Sequence, residues 1–160
     1  MHHKKMVYSH YKSQNTFKAL IGIALNGTVI FVSELFGGST SDKQIVSDSG
    51  FLDLLVPGEC VLADKGFLIA DLLPRGVCLN IPPFLRRQGG KKQFTESQGR
   101  ATTEIARARI HVERVMSRLK IFKCLSKIRR SDRRRSSIML QTCAGLVNFQ
   151  AELIQREARE

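Results

Sequence analysis

The chain has 160 residues, 42% of them apolar, and 26 Lys and Arg against 14 Asp and Glu, for a formal charge of +12. That length suits one domain of roughly 100–200 residues, and the apolar share supplies a core, which excludes disorder throughout. No run of about 18 uncharged apolar residues is present, so no membrane-spanning helix is expected; Met1–Val7 also lacks the apolar stretch of a secretory signal.

In chain order, residues 16–25 (Thr-Phe-Lys-Ala-Leu-Ile-Gly-Ile-Ala-Leu) read as a strand. Asn26-Gly27 is a strong hairpin signal, and residues 28–35 read as the returning strand. Gly37-Gly38-Ser39-Thr40 breaks the pattern. Ser41 then stands three residues before Gln44, a capping-box spacing that predicts a helix from near Asp42, ending by Gly50. Pro57-Gly58 marks a turn. Cys60-Val61-Leu62-Ala63 reads as a buried strand ending at Asp64, residues 67–73 as a short helix stopped by Pro74, and residues 76–81 as another strand. Residues 85–99 read as a mobile loop with Gly89-Gly90-Lys91-Lys92 at its tip. A long helix over about 101–122 follows from apolar positions Ile105, Ala108, Val112, Val115, Met116, Leu119 and Phe122. A last helix over about 134–157 follows from Ile138, Leu140, Leu146, Val147, Phe149, Leu153 and Ile154. The order defines a mixed α/β class.

The charge is concentrated. Residues 86–135 hold 12 Arg and 5 Lys against Glu96, Glu104, Glu113 and Asp132, while the rest of the chain is close to balanced. So dense an arginine block suits a polyanion, with phosphate backbones the commonest, because the guanidinium pairs with phosphate bidentately. The alternative is a solvated helix face plus a nuclear-targeting run at residues 127–135. The four cysteines, Cys60, Cys78, Cys124 and Cys143, form no CxxC pair. They read as reduced thiols rather than a disulfide framework or zinc ribbon. A zinc protein using His2, His3 and these cysteines is poorly supported by their spacing.

Two carboxylates stand out. Asp64 ends an apolar strand, where α/β sheets gather functional side chains; Gly66, two residues on, permits close approach of a substrate. Capping of the next segment is the plainer role. Glu113 sits mid-helix in Arg-Ile-His-Val-Glu-Arg, about 120° from the centre of the apolar stripe. Its plainer role is an ion pair with Arg109 four residues earlier. Asp42 reads as a helix-start residue, and His111 as a packing or phosphate-facing residue. Acids in a basic protein fit phosphodiester chemistry, where two hard cations stabilise the attacking and leaving oxygens. Mg²⁺ and Mn²⁺ prefer carboxylate oxygens, and such a site usually gathers three acids.

The run Tyr8-Ser9-His10-Tyr11-Lys12-Ser13-Gln14-Asn15-Thr16-Phe17-Lys18 resembles a segment of Harbinger-type DDE superfamily endonucleases, which are transposases and their domesticated relatives. Asn26-Gly27, Phe31-Val32-Ser33, Gly37 through Asp42, Val61 through Phe67 and Arg109 through Arg114 follow in family order. The resemblance implies an RNase H-like mixed sheet flanked by helices, a divalent cation (Mg or Mn) and DNA as substrate. Carried over by motif, Asp64 matches the second catalytic aspartate and Glu113 the closing glutamate, both as metal ligands, while Asp42 stands outside the triad. Arg86, Arg87, Lys91, Lys92, Arg107, Arg109, Arg114 and Arg118 are the nucleic-acid-binding candidates.

In the family the first catalytic aspartate lies on a strand before the Tyr-Ser segment, and here no acid precedes Tyr8. The expectation is therefore an N-terminally truncated domain over residues 1–125, its sheet lacking the first strand and its cleavage impaired. Residues 126–160 would form a basic segment and a C-terminal helix packed on the same domain. The competing expectation is a non-catalytic nucleic-acid-binding or partner-binding remnant. Neither includes a helix-turn-helix, so target recognition would fall to a separate DNA-binding protein or segment, and the basic run implies a nuclear location.

Overall fold

The computed structural model describes residues 4–8, 17–64, 66–81 and 109–150. Its elements run β1 (Lys4–Tyr8), β2 (Phe17–Lys18), β3 (Ile21–Ala24), β4 (Val29–Val32), β5 (Phe36–Gly37), α1 (Asp42–Asp48), a 3-10 turn (Leu52–Leu54), β6 (Cys60–Leu62) and β7 (Cys78–Asn80). Then follow α2 (109–120), α3 (Lys123–Ser126), a 3-10 segment (Arg130–Arg135) and α4 (Ser136–Asn148). The mixed α/β class read from the sequence is the class observed. The expected loop over 85–99, and the parts of the two long helices at 101–108 and 151–157, lie outside the described residues.

Five strands form one sheet in the order β4-β3-β1-β6-β7. β1 is antiparallel to β3 and parallel to β6, β6 is parallel to β7, and β3 is antiparallel to β4. Only β3 therefore runs against the rest. The expectation of a sheet lacking its first strand is corrected: β1 fills the centre, with Lys5 opposite Ala24 on one side and Val61 on the other. The physical reason is backbone pairing. β3 and β6 each present a row of donors and acceptors, and residues 4–8 satisfy both.

The strand expected over 16–25 divides in two. Leu20 N–H donates to the Ser33 hydroxyl at 2.8 Å, and Ser33 N–H donates to Leu20 O at 2.9 Å. A side chain thus takes the place of a ladder partner, and Phe17–Lys18 peel away to pair with β5. The hairpin is present, but its loop has three residues rather than two. Gly27 N–H reaches Ala24 O at 2.9 Å, Ala24 N–H reaches Thr28 O at 2.8 Å, and Gly27 takes φ 86°, the bulged form that needs a left-handed residue. At Pro57-Gly58 the turn is closed by Glu59 N–H on Val56 O, with Gly58 at φ 91°, as a type II turn requires.

α1 is capped as the sequence predicts: Ser41 Oγ accepts from Gln44 N–H at 3.1 Å. The helix expected over 67–73 is absent. Phe67 and Ile69 are buried while Leu68 is 61% exposed, an alternation that extended backbone satisfies and a helix does not.

The sheet separates two apolar layers. On one face Ile21, Ile23, Val29 and Leu62 pack with Val112, Val115 and Leu119 of α2 and Cys143, Ala144 and Val147 of α4. On the other, Leu20, Val61 and Ala63 pack with Ile45 and Val46 of α1 and with Phe51, Leu55, Phe67 and Ile69. β6 is buried on both faces, which explains its unbroken apolar run. α4 turns a different side inward from the one its large residues suggest: Ile138 and Phe149 are 63% and 89% exposed, and Cys143 and Ala144 are buried. The small residues let the helix approach β4, whose outer edge it closes. Asn148 Nδ2 donates to Val29 O at 2.9 Å, and Val29 N–H donates to Asn148 Oδ1 at 2.8 Å.

Candidate functional site

Alternation along β6 leads up to Asp64. Val61 and Ala63 face the α1 layer and Leu62 faces the α2 layer, and Asp64 follows two residues past the carboxyl end of the strand. Asp64 is exposed. Its carbonyl accepts from Phe67 N–H at 2.9 Å, which turns the chain immediately after it. A Cβ at Gly66 would meet nothing within 4 Å, and Gly66 is absent from the positive-φ glycines. Neither packing nor backbone conformation requires glycine there.

Glu113 follows the fully buried Val112 on α2, yet its own side chain is 64% exposed. Arg109 Nε donates to Glu113 Oε1 at 3.3 Å, the one-turn pair that the spacing suggests. At about 100° per residue, Arg109 and Glu113 occupy one flank of the buried Val112–Val115–Leu119 stripe, and Arg114 and Arg118 the other. Arg114 is exposed and Arg118 half-buried. Arg86, Arg87, Lys91, Lys92 and Arg107 lie outside the described residues.

The elements bearing Asp64 and Glu113 border one apolar layer, which includes Leu62 of β6 and Val112 and Val115 of α2. The fold does not assemble a metal cage: among the described residues no group of three or more His, Cys, Asp or Glu is arranged to hold an ion. β1 reads Lys-Lys-Met-Val-Tyr and contributes no acid.

His111 lies on the Arg114 flank. Its Nδ1 is buried, and among the described residues no group hydrogen-bonds it. Burial first, then the Arg114 charge, lower its pKa from 6.5, which favours the neutral ring. Asp42 opens α1 and faces Lys18, whose Nζ reaches Asp42 Oδ1 at 3.5 Å and donates to Thr40 O at 2.8 Å. This links two of the motifs quoted above: the Lys ending Asn-Thr-Phe-Lys holds the Gly-Gly-Ser-Thr-Ser-Asp turn. The sequence marked Lys18 and Ser33 only as motif members and did not mark Asn148, because the partners of all three lie far along the chain. The side chain over Phe17, Arg133 at 5.8 Å from the ring centroid, was equally hidden.

A family model described as DDE superfamily endonuclease matches residues 1–148. The chain therefore belongs to the DDE superfamily endonucleases. A relative from Microchaete diplosiphon, named as a probable transposase for insertion sequence element IS702, is 29% identical over 152 residues. The alignment covers 94% of this chain and 52% of the relative, so the chain spans about half the length of the curated protein it matches. No solved structure matches it.

Proposed function

We propose that this domain cuts DNA phosphodiester bonds on an RNase H-like sheet, with Asp64 and Glu113 as the carboxylates of its active site and Mg²⁺ or Mn²⁺ as the ion they would hold. The observation that carries the reading is the sheet itself. Its order, with β3 alone reversed, puts Asp64 at the carboxyl end of the strand parallel to the central one. That is the end at which α/β sheets bind ligands. The Tyr8–Lys18 run supports placing the domain with the Harbinger type.

Carboxylate oxygens suit these hard cations, and a bound pair of ions would stabilise the attacking and leaving oxygens. Among the described residues the donor set nevertheless falls short of three acids, and Arg109 engages Glu113. Cleavage by Asp64 and Glu113 alone is accordingly expected to be slow. The remaining work falls to the basic side chains, which hold the backbone phosphates and screen them from the acids.

Plasmid nicking in Mg²⁺ or Mn²⁺ tests the proposal, using the wild-type chain, Asp64→Asn and Glu113→Gln. Slow nicking that either substitution abolishes is the expected result. Nicking that survives Asp64→Asn removes that residue from the chemistry. DNA binding with no nicking by the wild type favours the non-catalytic remnant, for which the acid-free β1 is the supporting observation.

A further inference from the structure

We propose that Cys124 and Cys143 are a peroxide-responsive dithiol, whose reversible disulfide closes a loop around the densest arginine run of the chain. The reading is independent of nuclease activity. The sequence separates these cysteines by 19 positions, but the fold sets their Sγ atoms 3.8 Å apart, one on α3 and one on α4. Both are thiols in the structure.

The two differ in access. Cys124 is exposed and Cys143 is buried, so an oxidant in solution meets Cys124 first. Burial, reinforced by Cys124, pushes the Cys143 thiol up to about 11, which keeps it protonated and in reserve. A disulfide needs an S–S separation of about 2.05 Å, a closure of roughly 2 Å from the observed distance. α3 is a single turn without a side-chain cap, so a local shift can supply it.

The chemistry balances with hydrogen peroxide as the oxidant. The Cys124 thiolate attacks one peroxide oxygen; an S–O bond forms, the O–O bond breaks, and the departing hydroxide takes up a proton as water. Cys143 sulfur then attacks the Cys124 sulfenic acid; the S–S bond forms, the S–O bond breaks, and hydroxide leaves with the Cys143 proton as a second water. The intervening residues include Lys127, Arg129, Arg130, Arg133, Arg134 and Arg135, with Asp132 their only acid. Oxidation therefore restricts the most cationic segment of the chain.

The experiment treats the full chain with hydrogen peroxide and follows intact mass, a non-reducing peptide map and reversal by dithiothreitol. The expected result is loss of two hydrogens, a peptide joining Cys124 to Cys143, and recovery on reduction. Cys143→Ala is expected to accumulate a Cys124 sulfenic acid that dimedone traps; Cys124→Ser, changed on the exposed side, is expected to form no bridge. The oxidised wild type should unfold at higher denaturant than the reduced form, with no such difference in Cys124→Ser. A bridge joining Cys60 to Cys78, which are register partners on β6 and β7, would overturn the proposal if the Cys124–Cys143 peptide were missing. So would bridges between molecules, or over-oxidation of Cys124 with Cys143 untouched.

Discussion

Gly66 separates folding from function at a single position. Because a methyl group there meets nothing within 4 Å, Gly66→Ala should leave stability within about 0.5 kcal/mol of wild type in a urea titration. On the nuclease reading it should still weaken nicking, since only a substrate lying against Asp64 would feel the added Cβ. Cys143 offers a second residue-scale test. Its pKa rises from 9.0 to about 11 in the fold, so between those values the unfolded chain has released a proton that the native chain retains. Stability should therefore be intact below pH 9.0 and fall as pH rises toward about 11; the slope should flatten in Cys143→Ala, as measured by denaturant unfolding across that range. The place of Asp64 just past the end of β6 was legible in the sequence because the apolar run Cys60–Ala63 stops at it. The Cys124–Cys143 pair was not, because spacing says nothing about which helices meet.

At the scale of elements, the hydrogen bonds of α4 to β4 are the part most open to test. Asn148 gives Val29 both a donor and an acceptor, so Asn148→Ala leaves two backbone groups at the sheet edge to water or to nothing. A loss of about 1–3 kcal/mol is expected by urea unfolding. Local signals decided the elements that were read correctly: the Ser41 cap, the Asn26-Gly27 hairpin and the Pro57-Gly58 turn each depend on residues within four positions. The elements read wrongly depend on distant ones. The strand over 16–25 is divided by Ser33, a hydroxyl that no local pattern marks. The inward side of α4 is set by how closely a helix bearing Cys143 and Ala144 can approach the sheet, so Ile138 and Leu146 remain outside.

For the whole molecule, the asymmetry of charge yields the broadest prediction. If residues 86–135 grip phosphates, the logarithm of DNA affinity should fall linearly with the logarithm of salt concentration. The slope should drop by about 0.9 for each arginine contact removed, as with Arg114→Ala or Arg118→Ala. Binding by fluorescence anisotropy that ignored salt would contradict the phosphate grip. The six ordered motifs made the family legible, and the family match over residues 1–148 agrees with them. The central strand was hidden, because Lys-Lys-Met-Val-Tyr has too little apolar alternation to announce itself and both its neighbours lie elsewhere in the chain.

That central position also governs the order in which the protein can be built. The β3–β4 hairpin closes over a three-residue loop and needs only nearby contacts, whereas β1 pairs on one side with β6, so that Lys4 meets Cys60. Closing a loop of that length carries an entropic cost before any contact repays it. On the ribosome, the hairpin is free to form early, while β1 must wait for more than fifty later residues before it can pair with β6 and the middle of the sheet can zip shut.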